Sequence, residues 1–356
     1  PCRRTRVAVR IAVPLCILCS LLWPPAEATA AESYQYYVSG DPADVSPPTS
    51  GLLVLQGGGT DVDENYVRMG RFGGGGDFVV LRASGADEYN EYIYALCHCN
   101  SVETLVFDSR DAATAEFVIR TIRNAEALFI AGGDQSRYVR FWQGTPVQDA
   151  IDFVARKPAP VGGTSAGMAI LGEFVYSAMS EASLTAEHAL GDPYHEDLTL
   201  ARDFLSLPTL GNLITDQHLQ ERDRIGRTVA LLARLLADGW TQDARAIAAD
   251  RETALHIDPR SGIGTVYATA DHDTPYVYFM RALSKPTRCE PGQALTFADV
   301  EVQRMAPGET FNVRDWHGDG GVSYTLASID GVLESSRGSP YGPPRGAPVQ
   351  GVAAPR

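Results

Sequence analysis

The 356-residue sequence lacks the features that direct many proteins to nucleic acids or nucleotides. It has no excess of positive charge, since its formal net charge is −14, which argues against binding to nucleic acid or to anionic membranes. Despite 34 glycines it contains neither a G-x-x-x-x-G-K-[ST] phosphate loop nor a G-x-G-x-x-G turn that joins a strand to a helix. We therefore expect no nucleic-acid partner. We interpret the glycine runs 57–59 and 73–76 as tight turns that let the backbone approach the site closely.

Long hydrophobic runs are missing beyond the N-terminal region. An arginine-rich start is followed by an apolar run over 11–23 and then by Ala28-Thr29-Ala30. This order predicts a secretory signal peptide over residues 1–30. Because no later segment approaches the roughly 18 apolar residues of a membrane helix, we expect a secreted or periplasmic protein without a membrane span.

Cysteine is scarce once this peptide is removed. Of six cysteines, the predicted cleavage leaves Cys97, Cys99 and Cys289. An odd number cannot form a complete disulfide framework, so at most one bridge is possible. Cys97-His98-Cys99 resembles a metal cluster, but no further ligands follow at a suitable spacing. A buried or singly paired role is the preferred interpretation.

A second group of metal-ligating residue types lies in the polar stretch 180–203. His188 and His195 stand there beside Asp192, Glu196 and Asp197. Such residues can hold a metal, but a solvated surface excursion is the interpretation that we prefer. No metal and no organic cofactor is expected.

Short apolar runs that end in small or polar residues recur along the chain, at 52–55, 78–81, 104–107, 127–130 and 160–161. Such runs are typical of parallel strands that are buried on both faces. Helix-like segments separate them, which predicts an α/β fold with a mostly parallel sheet covered on both faces. Sites in such sheets form at the carboxyl ends of the strands. The residues expected at that rim are Gly58, Ser84, Asp108, Asp134 and Ser165.

The flanks of this region differ in composition. Residues 31–50 are polar and proline-rich, which predicts a linker. We expect the α/β domain over 51–286, with strand-like segments after position 246 completing one edge of its sheet, partly antiparallel. A β-rich extension over 287–334 and a disordered glycine- and proline-rich tail over 335–356 follow.

One serine stands between two glycines where a predicted strand turns into a helix. Gly163-Thr164-Ser165-Ala166-Gly167 has the G-x-S-x-G pattern of a nucleophile elbow. The glycines permit a crowded backbone, and the start of the following helix offers amide donors for an oxyanion. Serine needs a neighbouring base, and His218, after the strand-like run 211–215, is the leading candidate.

Three blocks in this order resemble the cyanophycinases of peptidase family S51, which are relatives of the aspartyl dipeptidases. The blocks are AGGDQ at 131–135, GTSAG at 163–167 and TDQHLQER at 215–222. The similarity in order and spacing runs from about residue 52 to residue 257. The resemblance implies a three-layer α/β/α fold like that of class I glutamine amidotransferases, with serine in place of their cysteine nucleophile.

The resemblance also implies roles for single residues. Ser165 becomes the nucleophile, and His218 the general base that later protonates the departing amine. The amides of Gly133 and Ala166 become the oxyanion donors. The side chains implied to line the substrate pocket are those of Gln135, Asp216, Gln217, Arg222 and Arg227.

Members of the family release β-Asp-Arg dipeptides from cyanophycin, a poly-aspartate whose side chains carry arginine through isopeptide bonds. The partner implied by the resemblance is therefore cyanophycin or a short aspartyl peptide, and a homodimer stays open. Arg222, Arg227 and Asp216 could read the alternating charges of such a ligand. Positions 222 and 227 differ by about 140° on an ideal helix, so both face the pocket only if the first turn is irregular.

The chain departs from the family pattern at the third residue of the triad. The family shows Asp-Glu-x-Thr-Ala, in which the glutamate orients the histidine, whereas this chain has Asp250-Arg251-Glu252-Thr253-Ala254. In a regular strand Arg251 and Glu252 face opposite sides, so Glu252 needs a bulge to substitute. Either such a bulge presents Glu252, or another acid supports His218, or activity is lower than in relatives. Of these we select Glu252.

These inferences lead to a secreted serine exopeptidase that hydrolyses the aspartyl backbone of cyanophycin through an acyl-enzyme. Two alternatives stay open. One is an aspartyl or isoaspartyl dipeptidase of the same family, and the other is a non-catalytic secreted binding protein that keeps the pocket, which Arg251 suggests. A lipase-like α/β-hydrolase is less favoured, because no HGGG-type oxyanion motif precedes the elbow.

Overall fold

Five strands with almost continuous apolar sequences form the parallel centre of the fold. The computed structural model describes residues 33–180, 182–270, 273 and 275–342, so the predicted signal peptide lies outside the described residues. Nearly every residue of the five strands is buried, which explains the absence of alternation in their sequences. In spatial order they are β4 (Ser101–Phe107), β3 (Asp77–Arg82), β5 (Ala127–Ile130), β6 (Pro160–Thr164) and β2 (Leu52–Gln56).

Helices cover both faces of this sheet, so the predicted three-layer α/β/α architecture is confirmed. One face carries α1 (Asp63–Phe72) and α2 (Asn90–Cys97). The other carries α3 (Glu116–Asn124), α4 (Gln135–Trp142) and α5 (Pro146–Arg156). Within the described ranges, no helix is long and apolar enough to cross a membrane.

Two cysteines at the end of α2 form a disulfide, within the limit of one bridge that three cysteines set. Cys97, at the end of α2, is joined to Cys99 by a disulfide. Cys289 is a free, half-buried thiol. The Cys97-His98-Cys99 sequence therefore forms a bonded pair and not a set of thiolate ligands.

Antiparallel strands extend the central sheet at both edges. The strand β1 (Tyr34–Gly40) pairs with β4, so the linker predicted over 31–50 is wrong for this segment. Its aromatic residues pack on α3, where the ring centroids of Tyr36 and Phe117 lie 4.9 Å apart. At the other edge lie β11 (Thr253–Ile257), β12 (Ile263–Ala268), β15 (Thr310–Asn312) and β16 (His317–Asp319).

A second sheet of six strands lies beside the first. The expectation that all strands after position 246 complete the edge of the central sheet is correct for β11 and β12. It is wrong for the strands Arg245–Ala249 and Val277–Ala282, which belong to this second sheet. Its strands, in spatial order, are β18 (Val332–Ser335), β17 (Val322–Ile329), β14 (Phe297–Met305), β13 (Val277–Ala282), β10 (Arg245–Ala249) and β9 (Leu213–Gln217). A separate hydrophobic core packs this sheet against α8 (Ile225–Ala237). Residues 287–334 are thus β-rich, as expected, but are continuous with the strands before them.

The chain after residue 335 is partly ordered. The disordered tail predicted over 335–356 is wrong for its first residues, because the hydroxyl of Tyr341 donates to the carboxylate of Asp223 at 2.6 Å. The remainder, 343–356, lies outside the described residues.

Short elements connect the two sheets near the predicted rim. They are α6 (Ala166–Ala169), β7 (Val175–Tyr176), α7 (Ala186–Gly191) and β8 (Leu200–Ala201). The hydroxyl of Thr215 in β9 donates to the carbonyl of Met168 in α6 at 2.7 Å. This bond joins the end of β9 to the helix that follows the elbow, which brings segments of both sheets to one site.

Candidate active site

The sequence around Ser165 forms a sharp turn between β6 and α6. Ser165 has φ +52° and ψ −116°, a conformation that L-residues seldom adopt and that a nucleophile elbow requires. The glycines of the motif are needed for packing: a Cβ on Gly163 would lie 2.6 Å from the carbonyl carbon of Gly167. One on Gly167 would lie 2.0 Å from the carbonyl oxygen of Ile130. Only glycine lets α6 sit this close to β5 and β6.

His218 faces the serine from the end of β9. Its Nε2 lies 3.0 Å from Oγ of Ser165, and the residue is 5% exposed. The backbone N–H of His218 donates to the carbonyl of Gly57 at 2.9 Å. A Cβ on Gly58 would lie 2.2 Å from Nε2, so the glycine-rich turn after β2 leaves the space that the imidazole occupies.

Glu221, and not Glu252, contacts the other nitrogen of the histidine. Its Oε2 lies 2.8 Å from Nδ1 of His218. The selection of Glu252 is therefore corrected: its Oε1 accepts a hydrogen bond from the Thr60 hydroxyl at 3.1 Å. Arg251 and Glu252 form a turn before β11 and are not part of a strand, so no bulge presents the carboxylate of Glu252 to the histidine. Of the three alternatives, another acid supports His218.

The buried surroundings of His218 favour its neutral form. Burial lowers the pKa of His218 below its usual 6.5, and the positive charges of Arg222 and Arg224 act in the same direction against the opposing effect of Glu221. For Glu221, partial burial raises the pKa, but the hydrogen bond and charge of His218 together with Arg222 and Arg251 lower it overall. A neutral imidazole thus lies between a hydroxyl and an ionised carboxylate, which is the arrangement that activates a serine.

Two backbone segments that could stabilise an oxyanion meet at the serine. Ala166 begins α6, and Gly133, with φ +140°, follows β5. A Cβ on Gly132 would lie 3.9 Å from Oγ of Ser165, so the end of β5 passes close to this hydroxyl. The hydroxyl of Tyr138 fixes this segment by donating to the carbonyl of Ala131 at 2.8 Å.

A cavity of about 310 Å³ opens beside the serine. Of the five side chains expected to line it, four do so, but Asp216 does not. Arg224 was missed, although the R-x-R-x-x-R spacing from Arg222 to Arg227 was a signal that could have identified it. The lining residues are Gly133, Asp134, Gln135, Ser165, Tyr176, Ala178, Ala182, Ser183, Gln217, Arg222, Arg224 and Arg227.

Asp216 lies behind the cavity wall and holds Arg227 in place. Both side chains are buried, and Nε and Nη2 of Arg227 donate to the two carboxylate oxygens of Asp216. The hydroxyl of Thr228 donates to Oδ2 of Asp216 at 2.8 Å. Asp216 is therefore a positioning residue, and the expectation that it lines the pocket is corrected.

The segment before α8 is irregular, which lets all three arginines reach the cavity. The helix begins at Ile225, so Arg222 and Arg224 lie in the preceding turn. Nη1 of Arg224 donates to Oε1 of Gln217 at 2.7 Å. Burial and the nearby charge of Arg227 lower the pKa of Arg224 to about 10. The wall next to the serine is thus strongly cationic, which suits a carboxylate ligand.

Comparisons with known proteins identify relatives of this chain. Residues 83–191 match the model of peptidase family S51. The cyanophycinases of Synechococcus elongatus and of Thermosynechococcus vestitus are each 30% identical over 190 residues, which cover 50% of this chain and 55% of each relative. The chain thus spans about half the length of these curated relatives. A solved peptidase from an acI-B1 Actinobacterium aligns over 75% of this chain and 98% of its own, with a TM-score of 0.49 and 15% identity.

Proposed function

We propose that this chain is a serine exopeptidase of peptidase family S51, whose model matches residues 83–191, and that it cleaves aspartyl peptide bonds of cyanophycin. The observation that carries the proposal is the 3.0 Å distance between Oγ of Ser165 and Nε2 of His218. Glu221 completes the line of groups at 2.8 Å from Nδ1. A hydroxyl, a base and an acid in this order are what acyl transfer by serine requires.

The proposed reaction has two halves. Nε2 of His218 takes the proton of the Ser165 hydroxyl as Oγ attacks the scissile carbonyl. The amides of Ala166 and Gly133 stabilise the oxyanion that forms. When this intermediate collapses, the C–N bond breaks, the imidazolium gives its proton to the departing amine, and an acyl-enzyme remains.

Water completes the cycle. Nε2 of His218 takes a proton from a water molecule, whose oxygen attacks the ester carbonyl and forms a second oxyanion. Collapse returns the serine oxygen, which recovers its proton from the histidine. Glu221 stays ionised throughout and stabilises the imidazolium.

The charges of the cavity support an aspartyl substrate. Arg222, Arg224 and Arg227 line one wall, and within the described part of the chain only Arg227 of these three is paired with a buried carboxylate. A substrate carboxylate is therefore the favoured ligand of this wall. Asp134, which also lines the cavity, offers a carboxylate to a substrate guanidinium, a role that Asp216 cannot fill. Cyanophycin carries both groups.

A dipeptidase of the same family is the second candidate function. It is supported by the size of the cavity, since about 310 Å³ lies at the lower end of the range for ligand pockets. A short aspartyl or isoaspartyl peptide would fill such a space. The non-catalytic alternative rested on Arg251, and Glu221 removes that reason, because an acid does contact His218.

Export from the cell is part of the proposal. The sequence of residues 1–30 suggests it, and the disulfide between Cys97 and Cys99 is of the kind that persists in oxidising compartments. N-terminal sequencing of the protein recovered outside the cytoplasm of a producing cell tests this directly. A mature N-terminus near residue 31 is the expected result.

The decisive assay compares the purified chain with a Ser165→Ala control on two substrates. Insoluble cyanophycin tests the polymer, with β-Asp-Arg detected by mass spectrometry, and a set of Asp-X and isoaspartyl dipeptides tests the alternative. We expect serine-dependent release of β-Asp-Arg. Cleavage of dipeptides alone would favour the dipeptidase, and absence of serine-dependent product from either substrate would overturn the peptidase proposal.

A further inference from the structure

Three metal-ligating side chains outside the catalytic site converge on one point. His188 lies in α7, and His195 and Asp197 lie in the turn that follows it. One ligand atom from each of the three lies within 4.8 Å of the other two. We propose that these residues bind a divalent zinc ion with a structural role, in a site separate from the catalytic serine.

The spacing of His195 and Asp197 fits two ligands of the same ion. Nδ1 of His195 lies 3.5 Å from Oδ2 of Asp197. Bond lengths of about 2.0–2.2 Å in a tetrahedral zinc site place two ligand atoms about 3.3–3.6 Å apart. The observed separation therefore leaves room for the ion with little movement of either side chain.

The hydrogen bonding of His195 identifies the ring nitrogen that carries no proton. Nδ1 accepts the backbone N–H of Asp197 at 3.2 Å, so in this tautomer it carries no proton. An unprotonated nitrogen and a carboxylate oxygen then face each other as two acceptors. A cation that takes the single lone pair of Nδ1 in place of that backbone N–H would bind both acceptors, since zinc binds the deprotonated forms of its ligands.

His188 supplies the third ligand from the helix. Its ring is stacked on that of His195, with centroids 5.0 Å apart and an interplanar angle of 14°. The N–H of His188 donates to the hydroxyl of Thr185, which caps α7 and fixes the position of the residue. Two imidazoles and one carboxylate form a donor set that zinc takes in preference to calcium or magnesium. Because His188 is exposed, water can occupy the fourth position.

The proposed zinc site is connected to the wall of the substrate cavity. Thr199, two residues after Asp197, accepts the N–H of Met179 at its hydroxyl, at 2.8 Å, and the N–H of Ser177 at its carbonyl, at 2.9 Å. Met179 and Ser177 flank Ala178, which lines the cavity. An ion that joins α7 to the 195–197 turn would therefore restrain this wall.

The other side of α7 packs against the helix that carries Arg227. A Cβ on Gly226 would lie 2.9 Å from Cβ of Ala186 and from Cδ1 of Leu190, so α7 is in close contact with the first turn of α8. Fixing α7 thus also supports the cationic wall. The zinc ion takes no part in the reaction. It acts only by keeping α7 and the turn after it ordered.

Metal binding is tested on the full chain carrying Ser165→Ala, so that the result does not depend on the proposed activity. The protein is stripped with a chelator and titrated with ZnCl₂ in a calorimeter, and its Tm is recorded over a range of zinc concentrations. We expect one zinc ion per chain and a Tm that rises with zinc concentration, because a ligand that binds only the folded state stabilises it. Co²⁺ in place of zinc should give the visible absorption of a tetrahedral site.

The variants His195→Ala and Asp197→Asn locate the site, and His317→Ala, at an exposed histidine of β16, is the matched control. The first two should abolish the zinc-dependent rise in Tm and the cobalt absorption, while the control keeps both. Circular dichroism of the zinc-free variants verifies that each is folded. Absence of zinc binding by the parent chain, or unchanged binding by both site variants, would overturn the proposal.

Discussion

Nδ1 of His218 lies 2.8 Å from Oε2 of Glu221, only three residues further along the chain. The proposed base and the acid that contacts it therefore belong to one turn, and not to two separate strands. This turn is held at both ends: the N–H of Arg224 donates to the carbonyl of Leu219 at 2.8 Å. The N–H of Gln220 donates to the buried carboxylate of Asp250 at 2.9 Å. The orientation of the imidazole thus depends on local backbone geometry.

The first prediction concerns this acid. Glu221→Gln should lower kcat by about 10- to 1,000-fold, because a glutamine neither carries the charge that stabilises the imidazolium nor selects the tautomer that accepts the serine proton. The loss should stay below the roughly 10⁴-fold effect seen when a buried triad acid is neutralised, since the Glu221 side chain is 37% exposed and water replaces part of its effect. Steady-state kinetics on the proposed substrate measures it.

Glu252→Gln is the matched control for this variant. It removes the same charge from a residue that accepts a hydrogen bond from Thr60 and does not contact His218. Its kcat should stay within about threefold of the parent value, as for other polar changes away from the reacting atoms. A large loss in Glu252→Gln with none in Glu221→Gln would show that the assignment is the wrong way round.

The second prediction is a rescue from the neighbouring loop. Arg251 is close enough to lower the pKa of Glu221 through its charge, and its Cβ would lie 3.2 Å from a Cβ on Gly59, in the turn that packs against His218. A carboxylate at position 251 could therefore replace the missing acid. Glu221→Gln combined with Arg251→Glu should recover part of the lost kcat, which double-mutant analysis of the four variants quantifies. Additive losses in the double variant would exclude such an exchange.

The parallel sheet and the elbow could be predicted because their signals are local. Apolar runs such as 52–55 are buried on both faces wherever they occur, and the glycines around Ser165 are required by the turn itself. The strand β10 shows the limit. The apolar run 246–249 predicts a buried strand, but it does not indicate which strand pairs with it. The place of β10 in the second sheet was therefore not predicted.

The acid that contacts His218 could not be selected from sequence for a similar reason. Glu221 reaches Nδ1 because the chain from His218 to Arg224 is an irregular turn, in which His218 and Asp223 have φ of 49° and 48°. A regular helix through residue 221 would direct its side chain elsewhere. The linker predicted over 31–50 was wrong for another reason. The prolines and aspartates that follow Tyr34–Gly40 dominated the composition, so the alternating aromatic residues that pack on Phe117 were not recognised as a strand.

The third prediction concerns the pH dependence of activity. His218 must be neutral to accept the serine proton, so kcat/KM should rise as the pH increases through the pKa of His218, which lies below 6.5. The positive charge of Arg222 contributes to that lowered pKa. Arg222→Gln should therefore raise the pKa and move the acidic limb of the kcat/KM profile to higher pH. KM should also rise, because the residue lines the cavity.

Arg222→Lys separates the two effects. It keeps the positive charge near His218 while losing the paired hydrogen bonds of a guanidinium, so KM should rise with the acidic limb unchanged. The pKa can be checked without substrate from the NMR chemical shifts of the His218 ring. An acidic limb at the same pH in Arg222→Gln as in the parent would rule out this electrostatic contribution.

The fourth prediction tests the close approach of the glycine-rich turn. Gly58 has φ +100°, and a Cβ at this position would lie 2.2 Å from Nε2 of His218. Gly58→Ala should displace the imidazole and lower kcat by at least about 100-fold, since misplacement by about 1 Å can cost that much. Gly239→Ala is the control, because Gly239 also has positive φ, +71°, but nothing lies within 4 Å of its added Cβ. The control should lose about 1–2 kcal/mol of stability and keep its kcat.

The fifth prediction concerns the buried acid that holds the triad turn. Burial raises the pKa of Asp250 to about 7, although its oxygens accept hydrogen bonds from the N–H groups of Gln220 and Tyr276. In the unfolded chain the group ionises near its ordinary value of about 3.9. Between these two values the folded state holds a proton that the unfolded state has lost. The contribution of Asp250 to the free energy of unfolding therefore falls as the pH rises from about 4 to about 7.

An asparagine at this position does not titrate, so Asp250→Asn should flatten that decline. The variant should be less stable than the parent at pH 4, because the amide replaces a neutral carboxyl group within the same hydrogen bonds imperfectly, and the difference should narrow as the pH approaches 7. Urea unfolding at a series of pH values measures both slopes. Asp87→Asn, at an exposed aspartate, provides the control and should keep the slope of the parent. Equal slopes in Asp250→Asn and the parent would mean that Asp250 is ionised in the folded protein at low pH.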